Sequence, residues 1–171
     1  MLRSALAAVA FAVLAVSAQA APFDVYRGAC LDTGVDLAKV RALATSQKWG
    51  ALTEAERDQL APGSRAFEGW AVAKDGARYL VSISGSTASS VAGDSAGANV
   101  ASCSLLAPKA DDKAVAKSYS AYLKRQPSED RADGMITYTW SVQDASNVKY
   151  HYLVAGGTMP GLSLSVSAIR K

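Results

Sequence analysis

The segment Gly93-Asp94-Ser95-Ala96-Gly97 matches G-x-S-x-G, the pattern in which a strained strand-to-helix turn lifts a serine hydroxyl for nucleophilic attack. A base must take the hydroxyl proton, and the chain holds a single histidine, His151. Ser95 with His151 therefore defines one functional reading, a small secreted serine hydrolase. The surroundings argue against it. From Gly85 to Ala98 the chain is Gly, Ser, Ala and Thr broken only by Val91 and Asp94, which predicts a hairpin loop and not the strand and helix that a nucleophile elbow needs. His151 sits between Tyr150 and Tyr152 in an alternating segment and is expected on the hydrophilic face of its strand.

Other reactive groupings are sparse. A metal site would need several His, Cys or carboxylate ligands, and the run Glu129-Asp130-Arg131-Ala132-Asp133 reads as a solvated turn. Asp111 and Asp112 are accounted for as helix caps. No residue is assigned as catalytic, cofactor-binding or metal-ligating, and no cofactor is expected. The remaining concentration of binding-competent side chains is aromatic: Tyr138, Trp140, Tyr150 and Tyr152. Alternation places all four most economically in the core; turned the other way, they would form a binding platform.

Cys30 and Cys103 are the only cysteines. An even count in an oxidising compartment points to a disulfide, and closing so long a loop stabilises by roughly 4 kcal/mol on the chain-entropy argument. The compartment is read from residues 1–20: Arg3, an apolar run from Ala5 to Val16, and small residues Ala18 and Ala20 form a secretory signal cleaved after Ala20. The run is too short for a membrane span, and a lipid anchor would require a cysteine at the cleavage point. Residues 21–171 are then one domain without a transmembrane segment. The formal net charge of +3 with no dense Lys/Arg run argues against nucleic acid as a partner.

These residues are positioned by an expected order of helix, short helix, three strands, helix, three strands. An extended lead-in covers Ala21 to Cys30; Thr33-Gly34-Val35-Asp36 opens a helix carrying Leu37, Val40, Leu43 and Ala44. Thr53 and Glu56 form a capping box for the short second helix. Alternation then marks Phe67 to Lys74, Tyr79 to Ser84 and Asn99 to Leu106, with Asp75-Gly76 as a hairpin turn. After the third helix, with Val115, Tyr119, Tyr122 and Leu123 on one face and Lys113, Lys117, Lys124 and Arg125 on the other, three more strands run to Ala168. The expected fold is α+β: one antiparallel sheet of about six strands with helices on one face, a closed barrel or sandwich being the alternative. The serine row 163, 165 and 167 marks the opposite face as open to water or a partner.

The leader followed by Phe23, Cys30, Asp36, Val40 and Trp49-Gly50 resembles the N-terminal pattern of a group of small exported proteobacterial proteins. That pattern usually has Gly before Trp, the reverse of the order here. The resemblance implies a periplasmic location and carries no catalytic residue across. The function expected is thus a non-catalytic, monomeric periplasmic or secreted domain that binds an envelope protein or a small ligand. Inhibition of a secreted hydrolase is one form this could take.

Overall fold

In the computed structural model, which describes residues 21–61, 66–87, 99–143 and 147–170, every strand joins one antiparallel sheet of eight strands. Helix α1 (Ala21–Tyr26) runs into a π-helical turn (Arg27–Leu31), followed by α2 (Leu37–Ser46), β1 (Gly50–Ala51), α3 (Glu54–Leu60), β2 (Glu68–Lys74), β3 (Ala77–Thr87) and β4 (Asn99–Ala107). Helix α4 (Asp112–Leu123) then leads to β5 (Ser128–Ala132), β6 (Met135–Gln143), β7 (Asn147–Gly156) and β8 (Leu162–Arg170). Across the sheet the order is β1-β2-β3-β4-β8-β7-β6-β5, so two meanders meet where β4 pairs with the last strand.

The expected six strands are corrected to eight, because β1 and β5 extend the sheet at its two edges. Neither has a hydrophobic alternation to reveal it. β1 is two residues long, and β5 is exposed at every position, including the acidic run read from sequence as a turn. The lead-in is corrected as well: Ala21 to Cys30 is helical, since Phe23, Tyr26, Ala29 and Cys30 recur at helical spacing and bury one face. Asp36, not Thr33, caps α2, accepting from the Lys39 backbone N–H at 3.0 Å. Thr33 is buried and donates to the Ala29 carbonyl at 2.9 Å.

The core lies between the sheet and α1, α2 and α4. Val81, Ile83, Cys103, Leu105, Leu164 and Val166 project from β3, β4 and β8 into it, meeting Phe23, Tyr26, Val40, Val115 and Tyr119 from the helices. Cys30 in the π-helical turn is bonded to Cys103 in β4, with 5.6 Å between their Cα atoms. This staple fastens the first helical layer to the centre of the sheet. The residues of the N-terminal pattern have structural tasks here: Phe23 packs its ring on Tyr119, Asp36 caps, Val40 is buried, and Trp49 meets Trp70 edge-on.

Not all helices share that face, which corrects the expectation of one helical layer. Arg78 alternates with core-facing Tyr79 and so points to the other side, where Glu56 of α3 accepts from its guanidinium at 2.5 and 3.0 Å. The Arg78 hydrogen bonds and the Thr53 capping box hold the Glu56 carboxyl down at about 2. Beneath α3, Leu80 is buried on this second face. Leu52 covers Gly69 so closely that a Cβ there would strike its Cδ1 atom. The second face is therefore roofed over β2 and β3, and among the described residues no helix lies over β8, β7 and β6 on that side. No helix among the described residues is long and apolar enough to cross a membrane.

Candidate functional site

His151 lies on the core face of β7, opposite Trp140 of β6 and Val166 of β8, and is 3% exposed. This corrects its expected place on the hydrophilic face. In an antiparallel ladder, directly paired residues share a face, and both neighbours of β7 set the same register. Tyr138 pairs with Leu153 and Trp140 with His151, while Leu164 and Val166 pair with the same two residues from the other side. A one-residue slip that put Tyr150 and Tyr152 inside would break both ladders.

The tyrosine hydroxyls of α1 and α4 supply what a buried imidazole needs. Tyr119 Oη stands 2.7 Å from His151 Nδ1 and 2.8 Å from Tyr26 Oη. Counting donors assigns the direction. If Tyr26 donates to Tyr119 and Tyr119 to Nδ1, only the Nε2–H is left over; the reverse order strands both the Tyr26 proton and the Nε2 lone pair. His151 Nε2 is indeed buried without a partner. Desolvation, with Lys149 as a lesser cause, pulls the imidazole down to about 4, so it is neutral at ordinary pH. Burial also holds the Tyr26 and Tyr119 phenols well above the usual tyrosine value. Phe23, Tyr119 and Trp140 pack ring against ring around this chain of hydroxyls, with centroids 5.2 and 4.6 Å apart.

Such an imidazole is poorly placed to serve a nucleophile. Its Nδ1 is occupied, its Nε2 faces the interior, and α4 covers it. Ser95 and the rest of Gly93 to Gly97 lie outside the described residues.

The aromatic group divides by face. Tyr138 and Trp140 are buried, the phenol of Tyr138 donating to Asp112 at 2.7 Å and the indole N–H of Trp140 to Ser120 at 3.2 Å. Tyr150 and Tyr152 stand on the opposite face, with Tyr150 37% exposed. They are not alone there. Reading across the strand pairs, one row runs Ser82, Ser104, Ser165, Tyr152, Thr139, and the next Ser84, Ser102, Ser167, Tyr150, Ser141. Adjacent strands are about 4.8 Å apart and same-face residues about 6.8 Å apart along a strand, so the hydroxyls form a two-dimensional grid. Ser102 and Ser167 hydrogen-bond each other across it at 2.9 Å. No charged side chain interrupts the two rows.

The serines of β8 signalled this face in the sequence. Its continuation onto β3, β4, β7 and β6 was missed, because it depends on which strands are neighbours. Among the described residues no three His, Cys, Asp or Glu side chains converge as a metal site. Comparison with known protein families, with curated proteins and with solved structures yields no match.

Proposed function

We propose that this chain is an exported binding protein of the cell envelope, acting in the periplasm or outside the cell without catalysis. Its recognition surface is the face of the sheet opposite α1, α2 and α4, over β4, β8, β7 and β6. The observation that carries the reading is the uncharged grid of serine and threonine hydroxyls around Tyr150 and Tyr152. A face of that composition on a rigid, disulfide-fastened sheet suits a neutral, hydroxyl-bearing ligand such as an envelope glycan. Aromatic faces can pack on the ligand's carbon skeleton while the short hydroxyls exchange hydrogen bonds with its own. The disulfide between Cys30 and Cys103 supports an oxidising location, where such bonds persist.

The test is saturable binding to a panel of neutral oligosaccharides and purified cell-wall fragments, compared with a Tyr150→Ala/Tyr152→Ala double variant. The reading expects retention of at least one glycan by the native chain and its loss in the variant. Retention of none, or equal retention by both proteins, would remove it. An enzyme would instead show turnover of ester or peptide probes that Ser95→Ala and His151→Ala each abolish.

A further inference from the structure

A groove of about 600 Å³ runs between α4 and β5, on the helical side of the sheet and away from the hydroxyl grid. Its helical wall is cationic. Lys113 and Lys117 of α4 and Lys124 at its C-cap fall on one narrow face, because steps of four and seven residues return to the same side of a helix. Arg125 follows directly. All four are exposed, and no ion pair with another described residue neutralises them. Of the acids that face the groove, Glu129 is paired with Arg131 at 2.7 Å and Asp112 accepts from the Tyr138 hydroxyl, while Asp130, paired with Thr137, turns its exposed side chain to the opposite face.

The other wall is an open sheet edge. β5 pairs with β6 alone, and no described strand lies beyond it. Asp133 and Gly134, with φ of 51° and 75°, form a two-residue turn closed by the Ala132–Met135 pair. Hydrogen-bonded and non-bonded pairs alternate from there, so Glu129 and Arg131 turn their backbone N–H and C=O groups toward the free edge. Edge strands with such groups exposed are templates for another strand.

We infer that β5 receives an extended acidic segment of a partner protein as a ninth strand, its alternate carboxylates facing the lysines of α4. An added strand would lie about 4.8 Å outside β5, beneath the cationic flank of the helix. Lys113 to Lys124 spans about 16 Å, and three carboxylates at alternate positions of a strand span about 14 Å. Strand addition uses both walls, whereas a phosphate or an anionic glycan would engage the cations and leave the edge unpaired.

The test uses a fluorescent heptapeptide of alternating Glu and Thr, its Lys/Thr counterpart, and the Glu peptide methylated at alternate backbone nitrogens. Binding to the mature chain is read by anisotropy over a range of salt. The Glu peptide should bind saturably and weaken with salt, and the Lys peptide should not bind. Lys113→Gln/Lys117→Gln/Lys124→Gln should lose on the order of tenfold in affinity. Backbone methylation in the register that faces β5 should cost at least as much, while Lys39→Gln/Lys48→Gln, exposed lysines of and just beyond α2, should change nothing. Failure of the Glu peptide to saturate, equal binding of the Lys peptide, or undiminished binding of both methylated registers would overturn the inference. The last result would reduce the groove to a general anion site.

Discussion

Protonating His151 offers the sharpest test of the buried hydroxyl chain. The imidazole has one acceptor position, filled by the Tyr119 hydroxyl, and an Nε2 atom without a partner in the interior. A second proton would place a cation there with nothing to meet it. The folded value of about 4 lies below the ordinary 6.5, so the unfolded chain takes up a proton at higher pH than the folded one. Above pH 6.5 neither state is protonated and His151 contributes no slope. Stability then falls as pH drops from 6.5 toward 4, and levels off for this group below that. The full gap corresponds to about 3 kcal/mol, of which about 2 kcal/mol should be lost by pH 5. Glu56, Glu68 and Asp36, each held below the usual carboxylate value by hydrogen bonds, begin to lose their contributions only as pH falls to about their unfolded values of 4.5 and 3.8, so a comparison of pH 7.5 with pH 5 reads mainly His151. Urea unfolding at pH 7.5 and pH 5 measures the difference, and a midpoint drop of about 1 M is expected. In His151→Leu the drop should disappear, with a cost at pH 7.5 confined to the Tyr119 hydroxyl's lost acceptor, about 1 kcal/mol. Equal midpoints at the two pH values, or an unchanged drop in His151→Leu, would refute the reasoning.

Other consequences can be measured in the same way. Cys30→Ser/Cys103→Ser, or reduction of the native chain, opens a loop of 73 residues and should cost about 4 kcal/mol in denaturant unfolding. Trp140→Ala, at 1% exposure, should cost about 3–5 kcal/mol, whereas Tyr150→Ala/Tyr152→Ala should cost far less; comparable losses would mean that the assigned β7 register is wrong. Gly156 has φ of 88°, and a Cβ there would collide with the Gly134 carbonyl, so Gly156→Ala should lower the thermal midpoint while Gly28→Ala, in open space, should not. Thr53→Ala removes the capping box of α3 and should cost about 1 kcal/mol, read as a shift of the urea midpoint.

Several features of this molecule are local and could be read directly from the chain. The cysteine count with the export-type leader pointed to the Cys30–Cys103 bond, Thr53 and Glu56 to a capping box, and Asp75-Gly76 to a turn. Each depends on residues close in sequence or on simple counting. What failed depended on neighbours in space. β5 carries no apolar alternation because neither of its faces is buried, and β1 is defined only by its bonds to β2. The leading helix looks extended in the sequence because so short an apolar period is ambiguous without the α4 surface on which Phe23 and Tyr26 pack.

β7 shows the division most clearly. Both of its alternating sets contain large side chains, so periodicity fixes that there are two faces but not which of them is inner. Residue order alone was enough to show a strand-rich chain with two cysteines to join, a serine-lined face on β8, and a lysine-lined side on α4. That β6 and β8 hold β7 with His151 inward follows from strand pairing in space, because register is a property of paired strands. The same pairing turned Tyr150 and Tyr152 outward and assembled serines from separate strands into one surface.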